Sequence, residues 1–97
     1  LREMADIAKV LSHPARLSIL QYLAACKSCV SGDITDEIPL SRTTVSQHLK
    51  ELKKSGFIKG EVDGLKVHYC LDQEMIKQYY QEIQSFFDHI SKDYSNC

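Results

Sequence analysis

Two groups of residues in this 97-residue chain have types and spacing that could do chemistry. The first is Cys26-x-x-Cys29. Two thiolates so spaced can chelate one soft ion, or interconvert between dithiol and disulfide. As(III) or Sb(III) would prefer a third thiolate and Zn or Cd would want four ligands, so Cys97 is a candidate for another donor. The alternative is a pair of thiols without a role at a helix end. A thioredoxin-type enzyme is excluded, because the pair follows a helix rather than a strand and no βαβ pattern surrounds it.

The second group lies on residues 41–56. Val45, Leu49 and Leu52 recur at i, i+4 and i+7, which predicts a helix with one buried stripe. Ser41 can cap its first turn, and Gly56 can adopt the left-handed conformation that ends it. The other face carries Arg42, Thr43, Ser46, Gln47, Lys50, Lys53 and Lys54, with Glu51 the only carboxylate. Hydroxyls, an amide and cations suit phosphate oxygens and base edges in a DNA major groove. An ordinary solvated amphipathic face is the alternative.

Charge distribution favours nucleic acid. The chain has a net charge of −1, yet residues 41–60 carry +4 and the remainder −5. A basic face on an acidic body suits one orientation on DNA rather than indiscriminate coating. A winged-helix module that binds only protein is the rival, and an acidic or apolar outer face on 41–54 would have favoured it. No nucleophile–base pair, phosphate-cradling glycine loop or convergent acid cluster stands out, so the chain does not read as an enzyme. With no membrane-length apolar run and no signal-peptide pattern, a cytoplasmic location is expected, and no membrane partner. There the four cysteines, Cys26, Cys29, Cys70 and Cys97, are expected as thiols, ligands or redox switches rather than structural disulfides. The first residue is Leu1, which leaves room for a longer natural chain.

The elements that would position these groups form one domain over 1–97. Residues 2–11 predict a helix with Met4, Ile7, Ala8 and Leu11 at helical spacing. Ser12-His13-Pro14 breaks and restarts the chain, Pro14 suiting a first turn. The next helix runs to about Ala25, with Leu17, Leu20, Leu23 and Ala24 facing inward and Ile19 and Tyr22 widening the stripe. Ser31 is expected to cap a brief helix that buries Ile34 and Ile38 and stops at Pro39. Tightly joined to the Ser41 helix, it makes a helix-turn-helix over 31–55. The period then falls to two over 57–62 and 65–71, with Asp63-Gly64 as the hairpin turn and Val67, Tyr69 and Leu71 facing the core. Lys66, His68 and Cys70 should face outward. This wing over 57–71 precedes a last helix, 72–91, with a broad apolar face of Met75, Ile76, Tyr79, Tyr80, Ile83, Phe86, Phe87 and Ile90. About 30 Å of such a face needs a second layer, and another copy of the chain is the simplest source. The expected dimer interface is Met4, Ile7, Leu11, Met75, Tyr79, Ile83, Phe86, Phe87 and Ile90.

The fold class is thus mainly α with a small β-hairpin: a winged helix-turn-helix of five helices, the hairpin between the fourth and fifth, forming a homodimer through the first and last helices. Three motifs in order resemble the ArsR/SmtB family of bacterial repressors. They are His13-Pro14-x-Arg16-x-x-Ile19-Leu20, Ser41-x-x-Thr44-Val45-Ser46-x-His48-Leu49-x-x-Leu52-x-x-Ser55-Gly56, and Asp63-Gly64-x-Lys66-Val67-x-Tyr69-x-Leu71. The resemblance covers nearly all of the chain. It implies a dimeric repressor that binds a palindromic DNA operator and is released by an effector. By that analogy Ser41, Arg42, Thr43, Thr44, Ser46 and Gln47 approach DNA, with Lys50 and Lys53 near phosphates and Lys66 on the wing. His48 reads as a packed histidine bonded to backbone, ahead of a base contact.

The family's metal sites do not transfer cleanly. Val30 and Gly32 stand where a Cys-x-Cys would precede Asp33-Ile34, and Ile76, Gln78 and Lys92 leave His89 alone at the last-helix zinc site. Gln21 and the late Cys97 do not match the cysteines of persulfide-sensing relatives. Cys26 and Cys29, with Cys97 as a third thiolate, remain the candidates for As(III), Sb(III), Zn or Cd; Cys70 on the wing reads as too distant. A redox-responsive or metal-independent regulator of the same fold is the alternative.

Overall fold

Ile19 has no exposed surface, and the helices assemble around it. The computed structural model describes residues 1–26, 30–31, 38–63 and 66–94. The order is α1 (Arg2–Val10), α2 (Pro14–Cys26), β1 (Val30–Ser31), α3 (Arg42–Lys54), β2 (Ile58–Asp63), β3 (Lys66–Leu71) and α4 (Gln73–Tyr94). Ser12 Oγ bonds the Lys9 carbonyl where α1 ends. His13 opens α2, its carbonyl accepting from Leu17 N, so Pro14 takes the first helical position where its missing N–H costs nothing.

The core joins Ile7 of α1, Ile19 and Leu23 of α2, Ile38, the α3 stripe Val45, Leu49 and Leu52, and Phe57 and Ile58. Each such side chain contributes about 1.5–3 kcal/mol when fully buried. The inner face of α2 differs from expectation. It centres on Ile19 and Leu23 at i, i+4, while Leu17 is 45% exposed and Ala24 also faces out. Both lie on the far side of the helical wheel from that pair.

The wing is a three-stranded antiparallel sheet in the order β1-β3-β2 rather than a lone hairpin. Val30 pairs with Tyr69 and Ser31 with His68, so a short strand runs up to Ser31. The rest of the brief helix expected from Ser31, with Asp33 and Ile34, lies outside the described residues. Burial of Ile58 opposite Leu71 sets the β2–β3 register, because a one-residue slip would turn Ile58 outward. That register pairs Asp63 with Lys66, so Asp63 belongs to the ladder and the connection is 64–65, outside the described residues. β3 is flanked on both edges. Cys70 departs from expectation: it is buried rather than outward, and disulfide-bonded rather than a thiol.

Asp72 caps α4, its Oδ1 accepting from Met75 N at 3.3 Å. The helix runs on to Tyr94, and the molecule measures 56 Å along its long axis against 25 and 23 Å across. Among the described residues no helix is long and apolar enough to cross a membrane.

Candidate nucleic-acid interface

Helix α3 is fixed at both ends by local hydrogen bonds. Ser41 is extended, its Oγ accepts from Thr44 N at 3.2 Å, and its hydroxyl donates to Thr44 Oγ1 at 2.9 Å. Two polar groups expected to approach DNA therefore also build the cap. At the other end Phe57 N donates to the Leu52 carbonyl and Gly56 N to the Lys53 carbonyl, the paired bonds of a Schellman motif. Gly56 has φ +89°, a conformation that strains any other residue, and a Cβ there would sit 3.1 Å from the flexible end of Met75, which would have to give by a few tenths of an ångström.

Beyond the cap, the helix end is seated on α4. The Tyr79 hydroxyl donates to the Ser55 carbonyl, and its ring lies 4.9 Å from that of Phe57. Burial first, and then the carboxylates Glu3, Glu82 and Asp72, push the Tyr79 phenol above its ordinary range, so it keeps the proton it donates.

With Val45, Leu49 and Leu52 buried, the opposite face is left to solvent. Ser41, Arg42, Thr43, Ser46, Gln47, Lys50 and Lys53 are exposed and Thr44 is half-buried. Lys66 stands at the start of β3, across the wing ladder from Asp63.

His48 is half-buried, but its partner is a side chain rather than backbone. Arg16 Nε donates to His48 Nδ1 at 3.0 Å, and Arg16 Nη1 donates to the Val10 carbonyl at 3.1 Å. The rings of His13 and His48 lie 5.5 Å apart. Burial, then the charge of Arg16, then His13, lower the His48 pKa from its ordinary 6.5. Sequence reasoning assigned Arg16 no role. The available signal was its phase: position 16 shares the inner face of α2 with Ile19 and Leu23, and a cation there needs a partner.

The candidate sensor residues are only partly placed. Cys26 is a half-buried thiol at the end of α2, and Cys29 and Cys97 lie outside the described residues. Among the described residues no group of three or more His, Cys, Asp or Glu is placed to hold a metal ion. The expected dimer residues divide in two. Ile7 is in the core, and Leu11, Tyr79 and Ile83 pack against it. Met75 lies beside Gly56. Met4 and Phe86 are half-buried, and Phe87 and Ile90 are 55% and 42% exposed. Tyr80, at 61%, joins the uncovered set.

A family model described as a helix-turn-helix domain matches residues 11–61. The chain is 35% identical over 74 residues to an uncharacterized HTH-type transcriptional regulator of Methanocaldococcus jannaschii, spanning 76% of this chain and 83% of that protein. It is 33% identical over 75 residues to the arsenical resistance operon repressor of Staphylococcus xylosus, spanning 77% and 71%. Among solved structures it is similar to the homodimeric winged helix-turn-helix DNA-binding domain of a possible ArsR-family transcriptional regulator from Mycobacterium bovis. That match has a TM-score of 0.68 and 25% identity, and covers 90% of this chain and 80% of the other.

Proposed function

This chain belongs to the ArsR/SmtB family of winged helix-turn-helix transcriptional regulators, and we propose that it is a cytoplasmic, dimeric repressor that reads a palindromic operator with α3 and lets go when an effector binds. One observation carries the reading. The exposed face of α3 is cationic and hydrogen-bonding along its length, on a helix capped at both ends and seated on the core. Its work is binding, not catalysis. Arg42, Thr43, Ser46 and Gln47 meet base edges, Ser41 and Thr44 lie at the N-terminal end near a phosphate, and Lys50, Lys53 and Lys66 meet backbone phosphates. The whole chain, 1–97, acts as one winged-helix unit. Its second copy docks on the uncovered apolar surface of α4 around Phe86, Phe87 and Ile90, with Met4 of α1, in keeping with the homodimeric Mycobacterium bovis relative.

The effector reading is a thiophilic ion, As(III) first, held by Cys26 and Cys29 with Cys97 as a third thiolate. The arsenical resistance repressor among the relatives and the Cys26 thiol at the end of α2 support it. The Cys70 disulfide adds a condition: it consumes two of the four cysteines, so three thiolates require a reduced chain. That same disulfide favours a second reading, in which oxidation itself is the signal.

Operator selection followed by anisotropy titration tests the proposal. Wild-type protein should select an imperfect palindrome with half-sites about one or two helical turns apart. Arg42→Ala or Gln47→Ala should relax base preference by about 1–3 kcal/mol at particular positions. Lys50→Ala should weaken all sequences alike and lower the salt slope by about one. Salt-independent binding, or no preference for palindromes, would overturn the reading. Cys26→Ser with Cys29→Ser should keep DNA binding and lose release by arsenite; release at the wild-type arsenite concentration would remove the pair as sensor.

A further inference from the structure

The geometry points to Arg16 as a positioning residue for DNA recognition: its guanidinium clamps α3 to the α1–α2 corner through His48, the clamp closes only while His48 Nδ1 carries no proton, and operator affinity therefore falls in mild acid. The inference rests on the reading of α3 as the recognition helix. It gives that helix a fixed rotation about its axis and a reason for losing it.

Arg16 makes two bonds with one planar group: Nε to His48 Nδ1 at 3.0 Å and Nη1 to the Val10 carbonyl at 3.1 Å. The fork is rigid, so the position of one acceptor restricts the other. Val10 is the last residue of α1, and His48 stands at the middle of α3. One side chain of α2 thus ties together three helices. His48 follows Ser46 and Gln47, which face solvent, and precedes Leu49, which is buried. It sits on the shoulder of α3 between the core stripe and the face proposed to meet bases, where a tether controls how the helix is turned.

An arginine has donors only, so Nδ1 of His48 must accept. A proton on Nδ1 removes the acceptor and sets an imidazolium against a guanidinium. The surroundings oppose that charge without abolishing it. From α2 and its cap come Arg16 and His13, the latter with its ring 5.5 Å away. Asp6 and Lys9 of α1 and Glu51 and Lys54 of α3 line the groove of about 520 Å³ that opens beside them. Burial, Arg16 and His13 together hold the His48 pKa below its ordinary 6.5. The sign follows by linkage. The clamped state disfavours the proton, so the clamp is complete above pH 6.5 and is lost as the pH falls from there through the lowered pKa.

The test is anisotropy titration of a selected operator duplex at constant ionic strength between pH 7.5 and 5.5. Wild-type affinity should fall about five- to tenfold toward acid, within the usual range of coupling between two sites. His48→Asn puts a carbonyl oxygen near the place of Nδ1 and cannot be protonated, so it should bind like wild type at pH 7.5 and lose most of the acid response. His13→Asn should keep the response. Arg16→Met should bind weakly at both pH values, and Arg16→Lys, with one donor group for two distant acceptors, should fall between. The salt slope of Arg16→Met should match wild type; a slope lower by about one would make Arg16 a phosphate contact and overturn the inference. A measurement on wild type alone covers variants that fold poorly: the Arg16 Nε–H resonance should vanish with the same midpoint at which the His48 ring titrates. Wild-type binding that is equally tight across the range refutes the clamp and leaves the recognition helix standing, whereas failure of wild type to bind any duplex at pH 7.5 refutes both.

Discussion

Helices α3 and α4 are both amphipathic, but they close their apolar faces in different ways. In α3 the three stripe residues Val45, Leu49 and Leu52 are all buried within the same chain, so only the polar side is on offer. In α4 the stripe is half-closed. Ile76, Tyr79 and Ile83 reach the core, while further along Phe87 and Ile90 are more than 40% exposed. A helix whose apolar side is satisfied internally can present polar chemistry to a flexible, hydrated ligand such as DNA. A helix left open over its second half is suited to another rigid apolar surface, and in a repressor that surface is a second copy. Gly56, Phe57 and Tyr79 join the two, so the C-terminal end of α3 is seated directly on α4.

The two stripes should stabilise different things. Leu52→Ala empties a site with no exposed surface and should lower folding stability by about 2–5 kcal/mol in denaturant titration. Phe87→Glu should do something different: leave the fold of the chain intact by circular dichroism, yet give monomers in sedimentation, because the dimer would bury an unpaired carboxylate. If Phe87→Glu instead unfolds the chain as Leu52→Ala does, the two helices are not distinct in the way described. The smallest effect sharpens the picture at the N-terminus of α3. Ser41→Ala removes the oxygen that accepts from Thr44 N and should cost about 1 kcal/mol by thermal melting, with the dimer unchanged.

Features that depend on near neighbours in the chain were legible. The α3 boundaries followed from Ser41 and Gly56, the α4 start from Asp72, and the hairpin from the change of period after Gly56. What escaped was decided across the chain. A two-residue strand has too few positions to show a period, so nothing in Val30-Ser31 announced a partner at Tyr69 and His68. Without that pairing β3 looks like an edge strand. The Arg16–His48 bond spans two motifs that each read correctly alone, and only packing of α2 on α3 brings them together. Leu17 was misplaced because α2 is apolar on several sides, and a broad stripe leaves its centre undefined.

The third strand of the wing also bears on the order in which the molecule assembles. β2 and β3 are near neighbours in sequence and can zip from their shared end as a local event. β1 must find β3 across the whole of α3 and β2, and so closes a long loop for the return of a two-residue ladder. In the chain with the Cys70 disulfide reduced, it should therefore join last and fray first. In native-state hydrogen exchange the β1–β3 amides should then open at lower free energy than those shared by β2 and β3, making β1 a separate unit of local unfolding within one small sheet.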